Sequence, residues 1–238
     1  MTGLAEAALE LAAVGTAGTL FNTWGIEHTT VVRAALLLAS INVLTPLLSA
    51  TIGSSRQDRT VAPETWLGCL VSFGATAWAT AGGASGEGGG LGPGDLSVLA
   101  ATLCYATVKV RLADKARTYA AEALAPARLF FSALCALAVL GLRCGLGGAD
   151  AGAELGRLPA EAWGLLLFSA VAPGVVATLL QAKGQRVVPP AQAQTIYAGV
   201  PLFAACYSLV VLGEPIEDRE VVAGVAIVAA AALSAKTG

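Results

Sequence analysis

The chain is poor in the residues that make a water-facing surface or a catalytic centre. Charged residues fill only 13% of its 238 positions, against about 25% in soluble domains, so folding in water would leave large apolar patches uncovered. It has one histidine, His28, in a sequence context that reads as a loop, which excludes a histidine-based metal set or triad. Cys69, Cys104, Cys135, Cys144 and Cys206 fall singly within apolar runs, with no Cys-x-x-Cys spacing. They read as small buried hydrophobes, not as disulfides or metal ligands. A net charge of −2 offers no basic footprint for nucleic acid. The opening, MTGLAEAALELAA, is acidic and lacks the basic stretch of a cleavable signal.

What is abundant is hydrocarbon. Hydrophobic residues make up 56% and mean hydropathy is +0.72, a membrane composition. A helix rises ~1.5 Å per residue, so a ~30 Å hydrocarbon core needs ~20 mostly apolar residues. Eight segments qualify, approximately 4–22, 32–53, 63–83, 95–112, 124–145, 163–181, 190–212 and 219–236. The first is the weakest, because Glu6 and Glu10 lie near its start. The expected fold is an all-α polytopic transmembrane bundle of about eight spans. Between the third and fourth lies GGASGEGGGLGPGD, whose glycines read as a flexible linker between two halves. Trp24, Trp66, Trp78 and Trp163 fall at or near span ends, as interfacial anchors do. Of the 14 Lys and Arg residues, ten lie in even-numbered connections and flanks. The positive-inside rule then puts both termini on the cytoplasmic side, or the stromal side in a plastid.

The segment PPAQAQTIYAGVPLFAACYSLVVLGEP (189–215) carries no charge before Glu214, yet sets Pro201 among Gln192, Gln194 and Tyr197. Proline kinks a helix and frees a carbonyl, which is tolerated in lipid only against protein or a wet cavity. Gln194, Tyr197 and Pro201 share one helical face. Its YAGVPLFAA (197–205) aligns with NVLTPLLSA (42–50), Pro46 over Pro201. Asn42, Thr45, Pro46 and Ser49 again share a face. The counted topology makes the two copies run oppositely across the membrane, an alternating-access design. The plainer reading is interhelical hydrogen bonding in a packed bundle.

Charged candidates are few. Lys109, one turn beyond Tyr105, and Arg128, about one turn inside the fifth span, can meet an anionic substrate group. Snorkelling to the inner headgroups is the expected role of each. Gln181 can reach the cavity from the sixth span, which Pro173 can also bend. Lys183 and Arg186 serve topology, and Glu214 reads as a solvated loop carboxylate. GPGD (92–95) fits the G-x-G-D of intramembrane aspartyl proteases, but a second intramembrane aspartate is missing and N-capping accounts for Asp95. The glycine run lacks the strand–helix setting and lysine of a nucleotide loop.

These residues carry a resemblance. AQTIYAGVPLFAACYSLVVLGEPI, an acidic turn and VAGVAIVAAAALSA look like the end of an EamA-type repeat of the drug/metabolite transporter superfamily, with Leu212, Gly213 and Glu214 matching its exit motif. TTVVRAALLLASINVLTPLLSA and WLGCLVSFGATAWATAGG are similar to the end of a first repeat, although GSSRQDR replaces the exit motif. GDLSVLAATLCYATVKVRLADKA resembles the opening of the second. The family's ten helices as two inverted five-helix repeats imply a partial first repeat over 1–83, lacking its opening two helices, a linker over 84–94 and a second repeat over 95–238. QAKGQRVVPPAQAQTIY is similar to plastid and cyanobacterial-type members, which suggests a plastid membrane.

The function expected is secondary transport of a small organic metabolite, neutral or zwitterionic, without enzyme activity or cofactor. Asn42, Thr45, Gln194, Tyr197, Gln181, Tyr105 and Arg128 are the expected substrate-binding residues, and Pro46 and Pro201 the helix kinks. Membrane lipid and the small-molecule substrate are the expected partners, and a homodimer is compatible with the chain. The alternative is a transport-inactive truncated protein acting as scaffold or partner of a full-length paralogue.

Overall fold

The computed structural model describes residues 2–29, 31–81, 92–145, 156–200 and 218–235, and every element among them is helical. In chain order these are α1 (Thr2–Glu27), α2 (Val31–Ala39), α3 (Ile41–Ile52), α4 (Arg56–Arg59), α5 (Pro63–Ala81), α6 (Pro93–Thr118) and α7 (Ala121–Gly145). Then come α8 (Ala160–Ser169), a π-helical segment (Ala170–Val176), α9 (Ala177–Gln185), α10 (Pro190–Tyr197) and α11 (Asp218–Ala235). The expected linker over 84–94 falls largely outside the described residues, as do Pro201, Cys206 and Glu214.

Four stretches are long and apolar enough to cross a membrane: Gly3–Glu27, Pro93–Thr118, Ala121–Gly145 and Ala160–Gln185. Apolar side chains facing outward are their signature. No residue of α8 is buried, and Leu165 and Phe168 are 70% and 68% exposed. Water would penalise such a surface at roughly 25 cal/mol per Å², whereas lipid tails do not. Leu37–Ile52 and Val221–Ala230 are shorter apolar helical stretches.

The segment expected as one span over 32–53 is broken at Ser40. The Ser40 hydroxyl donates to Leu37 O at 2.5 Å, and its carbonyl accepts from the N–H groups of Val43 and Leu44 to open α3. Side-chain bonding back to the helix competes with the backbone ladder. Pro46, inside α3, removes the N–H that Asn42 O would accept.

The sixth expected span contains a second break. Pro173 lies within the π-helical segment, where the Ala177 N–H bonds Ala172 O five residues back. Proline has no N–H for the Ser169 carbonyl and crowds it, and one extra residue in the turn relieves both.

The connection GSSRQDR is ordered. Ser55 Oγ accepts from Asp58 N at 3.1 Å and caps α4, Ser49 Oγ donates to Asp58 O at 2.7 Å, and Arg59 Nε donates to Gly53 O at 2.6 Å. A β-carbon on Gly53 would meet Asp58 Cβ at 2.8 Å, so the chain needs glycine there.

The chain divides into two compact units. One comprises Met1–Thr16 with Lys115–Val187, the other Ala17–Asp114 with Val188–Gly238. In the first, α7 packs on α9 through Ala121, Ala125 and Ala182, with Lys183 paired to Glu122 at 2.9 Å and Lys115 to Glu10 at 3.4 Å. In the second, α5 is central, packed by α2, α3, α10 and α11. There α1 runs antiparallel to α6: Ser97 Oγ donates to Phe21 O at 2.8 Å, and Thr29 Oγ1 to Asp95 Oδ1 at 2.5 Å.

Candidate functional site

The second unit holds a connected row of polar side chains in its interior. Three helices supply it. α3 contributes Asn42 and Thr45, buried at 5% and 0% exposure, and α10 contributes Gln194 at 2%. Near the middle of α6, Lys109 completes it.

Gln194 is the hub. Its Nε2 donates to Asn42 Oδ1 at 2.6 Å, and its Oε1 accepts from Lys109 Nζ. The Lys109 ammonium also lies 4.9 Å from the centroid of the Tyr197 ring, within the range of a cation–π contact. Such buried amides need partners, since an unpaired one costs roughly 1–3 kcal/mol. Beside them, Thr45 Oγ1 is buried without a hydrogen-bond partner.

Three of the expected residues, Asn42, Gln194 and Tyr197, are thus brought together, with Thr45 and Pro46 along the same helix. Tyr105 lies one turn before Lys109 and packs against Gly18 of α1, where a β-carbon would come within 3.0 Å of its ring. Gln181 and Arg128 belong to the other compact unit. There the Arg128 Nη1 is buried without a partner.

Lys109 departs from expectation. Instead of snorkelling to the headgroups it donates inward to Gln194, because that buried carbonyl and the Tyr197 ring offer an acceptor and a π face. Its spacing from Tyr105, one turn, was the available signal. The residue it meets lies 85 positions away in sequence, which no local pattern reveals.

Asp95 is a structural residue. Its carboxylate reaches back from the first turn of α6 to accept from Gly92 N at 2.9 Å and from Thr29, the reciprocal half of a capping box. The buried Cys69 thiol lies 3.6 Å from Thr195 Oγ1 and 3.9 Å from Ala191 O, contacts of a small core residue. Among the described residues no group of three or more His, Cys, Asp or Glu side chains is arranged to hold a metal ion.

The profile of the EamA-like transporter family matches residues 92–235, more than half of the chain. This chain belongs to the EamA-like transporter family. Members are membrane transporters of the drug/metabolite type, not enzymes, and the chain is accordingly an integral membrane protein. No curated protein matches it. Thirteen chains of solved structure do. One of them, a crystal structure described only as that of a protein, superimposes with a TM-score of 0.70 at 17% identity, over 98% of this chain and 87% of the other. That likeness concerns the fold. In this EamA-like chain the matched region contains α6 and α10, hence Lys109, Gln194 and Tyr197, while Asn42 lies before it.

Proposed function

We propose that this EamA-like protein carries a small organic metabolite across its membrane by alternating access, without ATP hydrolysis. The observation that carries the reading is the Asn42–Gln194 hydrogen bond at 2.6 Å. It joins two apolar segments that each hold a proline aligned with the other's, Pro46 and Pro201. A helix weakened by proline, as α3 is at Pro46, whose polar face meets that of another helix inside the bundle, is suited to open on one side and then the other.

In this reading the chain crosses the bilayer eight times, with 1–83 and 95–238 as oppositely oriented repeats and both termini on the cytoplasmic or stromal side. Asn42, Gln194, Tyr197 and Lys109 form the substrate-contacting row, with Thr45 next to it. The ten-to-four distribution of positive charge supports this orientation.

The test is solute counterflow in proteoliposomes holding the purified chain alone. Replacing Gln194 and Tyr197 together, by alanine and leucine, is expected to abolish flux while the protein stays monodisperse in detergent. Unchanged flux at equal reconstitution would remove the row from the transport path.

A further inference from the structure

Three polar atoms of the first compact unit are buried without a hydrogen-bond partner among the described residues. They are Arg128 Nη1 on α7 and both amide atoms, Nε2 and Oε1, of Gln185 at the end of α9. Less than 1 Å² of each atom is open, too little to touch a water molecule. Unpaired polar groups so deeply buried are costly and weaken the packing that holds them.

The register of the two helices relates these atoms. Ala121 and Ala125 of α7 pack on Ala182 of α9, and Glu122 pairs with Lys183. The start of α7 therefore lies beside the end of α9, and the two run antiparallel. Arg128 follows Ala121 by seven residues and Ala125 by three, and Gln185 follows Ala182 by three. Each thus lies on the face that its helix turns to the other. At ~1.5 Å per residue their Cα atoms are roughly 9–15 Å apart along the pair. Helical side chains lean toward the N-terminus of their own helix, which in an antiparallel pair directs these two toward each other. A guanidinium N–H and an amide oxygen are complementary, yet here they do not meet.

The means of closing that gap lies in the same unit. At its centre the contact is alanine on alanine, which offers little to interlock, and the Lys183–Glu122 pair joins two long, exposed side chains. Immediately before α9 comes the π-helical segment, Ala170–Val176, with its bond from Ala177 N–H to Ala172 O. A wide turn holds more residues per length of axis than an α-turn does. Extending it into α9 draws α9 toward α8, the direction that carries Gln185 toward Arg128.

We propose that α9 has two positions on α7. One is the packing described, with Arg128 and Gln185 apart. In the other, α9 is drawn toward α8 by less than one helical turn and Arg128 donates to Gln185 Oε1. The unpaired groups weaken the first position and the longer wide turn weakens the second, so both are populated. The motion is internal to the first unit, involves none of the polar row, and needs no substrate to be observed.

The experiment measures the distance between two spin labels on the full chain in detergent by pulsed electron resonance. The labels are attached at Leu142→Cys, near the end of α7, and Val187→Cys, just past α9, both exposed positions of this unit. The five native cysteines are replaced by alanine. The labelled sites lie at opposite ends of the antiparallel pair, so sliding changes their separation directly.

The labelled parent is expected to show two distances, the shorter belonging to the paired position. Gln185→Leu, which cannot accept a bond, should leave only the longer one, and so should Pro173→Ala, which removes the cause of the wide turn. Gln185→Glu gives Arg128 a carboxylate to bond and should raise the ratio of shorter to longer about tenfold, as a charge-assisted bond replaces a neutral one. Adding Arg128→Gln to Gln185→Glu should abolish that gain. A single distance in the parent overturns the proposal. Two distances whose ratio ignores both Gln185→Leu and Gln185→Glu also overturn it, because the Arg128–Gln185 bond then holds neither position. The two Gln185 variants move the ratio in opposite directions, so if one fails to elute as a monodisperse species the other decides.

Discussion

Gln194 and Asn42, 152 positions apart in sequence, share a buried hydrogen bond of 2.6 Å from Nε2 to Oδ1. The bond ties α10 to α3 within the buried interior, and Lys109 of α6 closes on the free oxygen of the same amide. One side chain therefore joins three helices. In lipid the hydrophobic effect does little to hold helices together, so packing and such bonds carry more of the association.

The first prediction concerns that junction. Gln194→Leu removes both bonds, each worth ~0.6–1.7 kcal/mol in membrane bundles. The expected destabilisation is about 1–3 kcal/mol by that measure. Asn42→Leu removes one bond and should cost about half as much. Thermal unfolding in detergent reads the ranking. If Asn42→Leu proves the worse of the two, Gln194 is not the hub.

Asp95 gives a second, independent prediction. Its carboxylate accepts from Gly92 N and Thr29 Oγ1 at the start of α6. Asp95→Ala is expected to lower stability by about 1–2 kcal/mol, the usual cost of losing a helix cap. Flux per folded molecule should not change, because Asp95 takes no part in the polar row. Loss of flux with unaltered melting would assign it another role.

Much of this architecture is legible in the sequence, for a physical reason. Apolar runs such as those of α6, α7 and α8 must lie within helices, because lipid leaves no other partner for the backbone. Pro173 likewise announces a break, and the π-helical segment is found around it. Ser40 does not: a lone serine in an apolar run usually bonds back to its own helix, and that bond by itself does not announce the break it accompanies here. The order in GSSRQDR was also hidden, since a polar connection and a capped turn share a composition. At the site, polar faces could be read from periodicity, which brought out Asn42, Thr45, Gln194 and Tyr197. The placement of Lys109 could not, because a lysine stem reaches headgroups or interior equally well and a distant acceptor decides between them.

A third prediction tests the packing of Tyr105. A β-carbon on Gly18 would lie 3.0 Å from Tyr105 Cε1 and 3.0 Å from Cys104 Cβ. Gly18→Ala therefore overpacks α1 against α6, at a cost of about 1–3 kcal/mol. Trimming the ring with Tyr105→Leu should recover part of that loss, so the double variant costs less than the two single changes summed. Strict additivity in melting measurements would mean that the two residues do not meet.

The last prediction concerns the break in the sixth span. Pro173 cannot donate to Ser169 O, and the segment answers with bonds such as that from Ala177 N–H to Ala172 O. Pro173→Ala restores a donor and removes the ring, so α8 and α9 should join in one α-helical ladder. Proline inside a helix costs up to ~3 kcal/mol, and recovering even part of that should raise the melting temperature. A bundle that moves during transport would be stiffened by the same change. The expected outcome is slower amide exchange across 170–176 together with reduced flux. Slower exchange with unchanged flux would show that this break is structural and that transport does not bend the chain there. Unchanged exchange would show that neighbouring helices, not the proline, set the wide turn.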